Sequence, residues 1–377
     1  MSAAPTLPTG RTGDERRARM AWARIAEPDD KLARQIIAVY GLVDGLDIAR
    51  RGSAAGISGL SDRFQARLDT LDVNRDLVIA DRVGARVLVP GDPEWPLVVD
   101  GLEMPPWALW VQGPLDLQEV TQRSVAVVGA RACTAYGNSA TSEIAAGMAD
   151  RGFAVVSGGA FGIDAAAHRA ALAVDGATVS VLACGVDRSY PAAHTQLLDH
   201  IRRCGAVVSE MPPGSAPMRT RFLARNRVIA ALGAGTVLVE AGLRSGARST
   251  VSATLDLNRP VGAVPGPVTS MVSAGCHEEI RRERATLVTD AAEVADLVGG
   301  IGADLAPDKR GPELPRDGLD GVAQRVWQSL PGPRMSAMSV DALTRVAGLG
   351  AAETIGALGR LDVAGQAQRK GHGWVRR

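Results

Sequence analysis

Short apolar runs recur through the middle of the chain, several of them closed by glycine and followed by a helix-length segment. Ser124–Val128 (SVAVV) is apolar without alternation, which predicts a strand covered on both faces. Gly129-Ala130-Arg131 breaks it. From Asn138 to Arg151 the spacing is helical, with Ile144 and Met148 on one face and Gly152 as the stop. Phe153–Val156 predicts a second strand, and Ser157-Gly158-Gly159 turns into a helix opening near Gly162-Ile163-Asp164. Strand, helix and strand in this order make a right-handed βαβ unit with parallel strands. Further strands are predicted at Thr178–Leu182, Ala206–Ser209, Thr236–Val239, Val261–Val264 and Thr286–Val288. Helices are predicted between them at Ile163–Val174, Ala192–Arg203, Phe222–Leu232, Ser249–Leu257 and Ala291–Leu297. The fold class is therefore α/β, an extended Rossmann-like parallel sheet over residues 76–299.

The flanks read differently. Residues 1–13 are Pro-, Thr- and Gly-rich and are expected to be a disordered tail. Asp14–Ile25, Lys31–Tyr40 and Phe64–Leu71 have helical character, with shorter helical pieces around Ile48 and Leu60, so 14–75 is expected to be a small helical domain. Short strands at Ala85–Val89 and Ala108–Val111, set among prolines, suggest additions to an edge of the main sheet. Trp95, Trp107 and Trp110 are read as core. Residues 300–316 read as a linker. Helices at Leu319–Leu330, Ser339–Val346 and Ala351–Leu361 precede a strand pair turned at Gly371-His372-Gly373, a winged-helix pattern over 317–377. Its second-last element, AAETIGALGRL, carries one basic residue, which speaks against duplex reading through that helix.

Composition bounds the function. The 377 residues suffice for two or three domains, and a formal net charge of +1 means that any nucleic-acid site must concentrate arginines locally. There is no signal-peptide core, no run long enough to span a bilayer, and no C-x-x-C among Cys133, Cys184, Cys204 and Cys276. A cytoplasmic protein with no membrane partner, no metal and no cofactor is expected.

The glycine turns, with the segments Cys184–Pro191, Glu210–Gly214, Glu240–Gly246 and Pro265–Pro267, all fall at strand C-terminal ends, where ligands of such sheets sit. Gly129 and the Ser157-Gly158-Gly159 turn could bring backbone amides to an anion, and Arg131 adds a forked cation. Tight strand-to-helix turning alone would also use these glycines. The densest basic patch is Arg219–Arg227 (RTRFLARNR), with Arg221 and Arg225 at i,i+4 and Phe222, Ile229 and Leu232 expected toward the core. Arginines beside Phe222 and Tyr190 suit a single-strand groove, and Arg244 lies in a neighbouring edge loop. A solvated helix face is the plain alternative. Asp164 and His168, at i,i+4, are read as a local pair and not as part of a relay with Ser157. Glu210 and Glu240 are expected to pair with Arg131, Arg225 or Arg227.

In order, VAVVGARACTAYG, SGGAFGIDAAAH, VLACGVDRSYP, SEMPPGSAP, FLARNRVIAAL and VEAGLRSGARSTVSA with RPVGAVPGP closely resemble the DNA-processing protein A (DprA/Smf) family, over about residues 85–290. The flanks fit too, the helical domain as a SAM-like one. The resemblance implies a non-enzymatic, dimeric single-stranded DNA-binding protein of natural transformation and recombination. Such proteins protect incoming DNA and help load RecA on strands covered by single-strand-binding protein. Carried over by motif, the contacts would include Arg131, Ser157, Gly158, Gly159, Arg225, Asn226 and Arg227. This chain departs at Phe161, where many members carry Lys or Arg, and a stacking role is the alternative there. A nucleotide-processing enzyme of phosphoribohydrolase type is the competing class. Gly233–Thr236 precedes Glu240, but Glu240 stands one residue beyond that signature, which in a strand turns it to the other face. A duplex-reading transcription factor rests on the winged helix alone.

Overall fold

Nine strands form one sheet: β1 (Ala85–Leu88), β2 (Leu109–Gln112), β3 (Ser124–Val128), β4 (Ala154–Ser157), β5 (Thr178–Val181), β6 (Ala206–Ser209), β7 (Thr236–Leu238), β8 (Val261–Ala263) and β9 (Thr286–Leu287). Their spatial order is β1-β2-β6-β5-β4-β3-β7-β8-β9. The neighbours from β6 to β9 pair in parallel, and β1 and β2 extend the β6 edge in antiparallel pairing. The computed structural model describes residues 11–53, 63–309, 311 and 318–377.

Side chains alternate across β3. Ala126 and Val128 pack with Val156, Val181 and Leu238 against the helices Arg219–Leu232 and Ala247–Asp256. Val125 and Val127 pack with Val155 and Val237 against the helices Ala135–Asp150, Ile163–Ala173 and Ala291–Val298. Both faces being covered explains why the strands read as continuous apolar runs. The chain winds outward from β3 to β6, then returns to place β7 on the other side of β3. The switch point of the sheet therefore lies between β3 and β7.

The chain divides into two compact units, Met1–Ala306 and Pro307–Arg377. The N-terminal helices belong to the first. Trp22, Ile36 and Phe64 share one apolar core with Trp107, Trp110 and Val207 from the sheet region. The first helix begins at Arg11, inside the expected tail. Residues 1–10 lie outside the described part, as does the piece expected around Leu60. Asp72 caps a further helix, Val73–Arg82, which runs across the expected boundary at 75/76. The expected linker is likewise not free at its start. Asp304 accepts from Arg123 Nη1 at 3.0 Å and Nη2 at 2.6 Å, and the Arg123 guanidinium lies 3.8 Å from the centre of the Phe153 ring. Trp95, Trp107 and Trp110 are all buried, as read.

The second unit holds the helices Gly321–Ser329, Val340–Ala347 and Ala351–Val363 and a hairpin, β10 (Ala367–Lys370) with β11 (Gly373–Arg376). Asp320 and Ser339 cap the first two helices, and Val326, Leu343, Leu358 and Leu361 form the core. The one arginine of the third helix, Arg360, pairs with Asp320 at 3.0 Å. No described helix is long and apolar enough to cross a membrane.

Candidate functional site

A crevice of about 250 Å³ opens at the switch point. Gly129 and Arg131 come from the turn after β3, Ala160 from the turn after β4 and Asp164 from the helix it opens, and Phe222, Arg225 and Asn226 from the helix leading to β7. Ser245, Gly246 and Thr250 close it from the loop and helix after β7. A smaller slot of about 80 Å³ adjoins it, and Arg131, Ala160 and Phe222 line both.

Two guanidinium groups dominate the crevice. Arg131 is exposed, 5.1 Å from the centre of the Phe222 ring. Arg225 is buried, and its centre lies 5.9 Å from the same ring. Its Nη1 donates to the Gly158 carbonyl at 2.8 Å and to that of Val181. Burial pushes the Arg225 guanidinium down to about 10, with Asp164 opposing and the like charge of Arg131 adding to the fall. It therefore stays charged near neutral pH. Burial raises the Asp164 carboxyl, against the pull of Arg225 and of backbone donors at Ala160 and Gly158. Gly158 is the wedge between them: a Cβ there would lie 2.6 Å from Arg225 Nη2 and 2.7 Å from Asp164 Oδ2.

Several polar atoms of the two turns are engaged within the protein. Ala130 N–H donates to the Glu240 carbonyl at 2.7 Å, and Ala160 N–H to Asp164 at 3.3 Å. Ser157 is fully buried, with its hydroxyl on the Val127 carbonyl at 2.6 Å, and the Gly159 carbonyl accepts from His194 Nδ1 at 3.0 Å. These atoms bind the loops to each other.

The arginine patch divides around its helix. At about 100° per residue, Phe222, Arg225, Asn226 and Ile229 share the crevice side, while Arg227 points away. Phe222 is thus half-buried in the crevice wall and not in the core as expected. Arg221 donates to Glu27 through Nε and Nη2, each at 2.8 Å. Arg227 holds Glu210 at 3.0 and 2.8 Å. Neither lines the crevice, because each neutralises a carboxylate packed against the opposite side. Asn226 steadies the far wall through Ser249 Oγ at 2.7 Å and the Gly246 carbonyl at 3.2 Å. Arg244 is exposed in the loop after β7, outside both cavities, and Phe161 lines the slot.

Two further expectations change. Asp164 and His168 do not pair. The Thr178 hydroxyl gives its hydrogen to the Val155 carbonyl, so His168 Nδ1, 2.7 Å from Thr178 Oγ1, carries the proton of that contact. Burial pushes the imidazole down to about 3, and it is neutral. Glu240 pairs with no arginine. It is buried beside the start of the helix Ala135–Asp150, accepting from Thr134 N–H at 2.9 Å and Oγ1 at 2.6 Å. A carboxylate is favoured at a helix N-terminus. Gly137 makes room for it: a Cβ there would sit 2.2 Å from Glu240 Oε2. Among the described residues, no group of three His, Cys, Asp or Glu side chains is placed to hold a metal ion.

Sequence reasoning missed Glu27 and His194, which brace the site from outside it. Nothing local marks either residue, since each acquires its role from a segment far along the chain.

Known proteins are similar to this chain. A putative DNA processing protein DprA of Mycobacterium tuberculosis is 43% identical over 368 residues, covering 94% of this chain and 93% of that protein. The X-ray structure of DprA from Streptococcus pneumoniae superposes with a TM-score of 0.64 at 30% identity, over 78% of this chain and 100% of that one. A DprA from Helicobacter pylori, described for its single-stranded DNA binding mode, gives 0.51 at 27% identity, over 56% of this chain and 94% of its own. The family model for DNA recombination-mediator protein A matches residues 86–299, the sheet and both crevice turns, and the chain belongs to that family.

Proposed function

We propose that the chain binds single-stranded DNA in the crevice and acts as a recombination mediator without catalysis of its own. One observation carries the reading: two guanidinium groups lie beside one aromatic ring at the switch point, close enough that the charge of Arg131 adds to the lowering of the buried Arg225. A phosphate between them relieves that repulsion, and Phe222 offers a face to a base. The Helicobacter pylori relative, which binds single strands, supports the same reading. Glu240 argues against the enzyme alternative, since both its oxygens are committed to Thr134.

On this reading the DNA-contacting set is Gly129, Arg131, Gly158, Phe161, Arg225 and Asn226. The protein works in the cytoplasm as a homodimer, in natural transformation and recombination, and hands strands covered by single-strand-binding protein to RecA. The Pro307–Arg377 unit is a winged helix. Its third helix has its one arginine engaged by Asp320, so the hairpin residues Arg369 and Lys370 are the better candidates for touching DNA.

Fluorescence anisotropy over a salt series tests the site, using a labelled single strand and the matching duplex. Wild type binds the single strand more tightly. Arg131→Ala weakens binding for every sequence alike and lowers the salt slope by about 0.7, the value of one phosphate contact on a single strand. Equal affinity for both DNA forms, or an unchanged slope in the variant, would refute this assignment.

A further inference from the structure

Beside six Trp this protein has only four Phe and three Tyr, yet two Phe and one Tyr meet at the slot beside Arg131. Phe161 is 48% exposed and Tyr190 is 42% exposed. Folding alone does not favour this, because an apolar ring left in water forgoes the free energy of its burial.

The rings are nevertheless held. Phe161 sits between Gly159 and Gly162, both at positive φ, and meets His194 edge to face with centres 4.6 Å apart. His194 is buried and bonded to the Gly159 carbonyl, so the tip of the turn is pinned from below. Tyr190 approaches the loop from the other side, its ring centre 5.5 Å from that of Phe222. The space between them is small, lined by Phe161, Tyr190 and Phe222 and edged by one exposed cation.

That combination selects its occupant. An aliphatic group would gain nothing from Arg131, and a free anion would gain nothing from the rings. A planar heteroaromatic ring joined to a phosphate uses both. Bases paired in a duplex are not free to enter. Resting on the single-strand reading above, we propose that the Phe161–Tyr190 slot takes one unstacked nucleobase of the strand whose phosphate lies at Arg131. Phe161 then contributes by stacking, independently of salt.

The test crosses a protein change with a DNA change. Affinities are measured across a salt series for wild type, Phe161→Ala and Phe161→Tyr. The probes are an oligothymidylate and an abasic strand of the same length. Wild type should bind the abasic strand about tenfold more weakly, within the range of one base–aromatic stack. Phe161→Ala should lose about tenfold on oligothymidylate with the salt slope unchanged, and nothing further on the abasic strand. Phe161→Tyr should restore wild-type behaviour. Equal losses on both strands would make Phe161 a structural or phosphate-side residue and overturn the proposal, as would no loss on either. Wild type binding neither strand would overturn the single-strand reading itself, and this proposal with it.

Discussion

Replacing Glu27 by Gln removes one charge and little volume from the contact between the N-terminal helices and the crevice helix. Its carboxylate takes two bonds from Arg221 at 2.8 Å and one from Arg67. The Arg221 side chain is 9% exposed and that of Glu27 26%, so the pair lies between a surface ion pair and a fully buried one. Surface pairs contribute up to about 1 kcal/mol, and breaking a buried pair costs about 3–5 kcal/mol. A loss of about 2 kcal/mol follows for Glu27→Gln at pH 7, since Arg221 keeps its bond to the Ala216 carbonyl but no full carboxylate. Urea unfolding followed by tryptophan fluorescence is a direct assay, because Trp22, Trp107 and Trp110 lie in the core that the pair borders. The midpoint should fall by about 0.5–1 M. The pH dependence gives a second check. Burial alone would raise the Glu27 carboxyl, but the bonds from Arg221 and then Arg67 outweigh it and hold it below the usual range. A depressed folded value means that the stabilisation is complete above the unfolded pKa of about 4.3 and is lost as pH falls toward the folded value. The gap between wild type and variant should therefore narrow steadily as the pH falls below about 4.3. An unchanged midpoint at pH 7, or a gap that stays constant with acid, would refute the reasoning.

Other outcomes follow from the same geometry. Gly137→Ala should lower the melting temperature by the equivalent of about 1–3 kcal/mol, reversing the usual gain of Gly→Ala within a helix, because the new Cβ meets the Glu240 carboxylate; a stabilised variant would show that Glu240 can withdraw. Burial pushes the Cys184 thiol up to about 11 and the Cys276 thiol up to about 12. Alkylation at pH 8 followed by mass spectrometry should therefore modify exposed Cys204 first and reach Cys184 and Cys276 only with denaturant. Rapid modification of either buried thiol in the native protein would contradict their placement.

The sheet was largely legible because its central strands are short valine-rich runs, and β3 and β6 fall on the predicted bounds. Two helices of eight or more residues were not seen. Val73–Arg82 (VNRDLVIADR) alternates charged and apolar residues across an expected domain boundary, and Ala274–Arg281 (AGCHEEIR) follows a glycine- and proline-rich loop. The position of the site could be read as well, since it depends on strand order and glycine turns. The roles of its arginines could not. Arg221, Arg225 and Arg227 are alike in sequence, and what separates them is the neighbour on each side of the helix: Glu27, the Gly158 and Val181 carbonyls, and Glu210. Such partners lie 17 to 194 residues away, beyond any local pattern.

The shared core of Trp22, Phe64, Trp107 and Trp110 bears on how this protein can vary. Its N-terminal helices have no separate apolar interior to keep if they are detached, and the sheet has no finished surface where they leave. Deleting them would uncover Trp110 and strand Arg221 without its carboxylate in one stroke. They are therefore not an interchangeable cassette. Changes on either side of that seam must be accepted together, so drift at Glu27 and at Arg221 should proceed as a correlated pair.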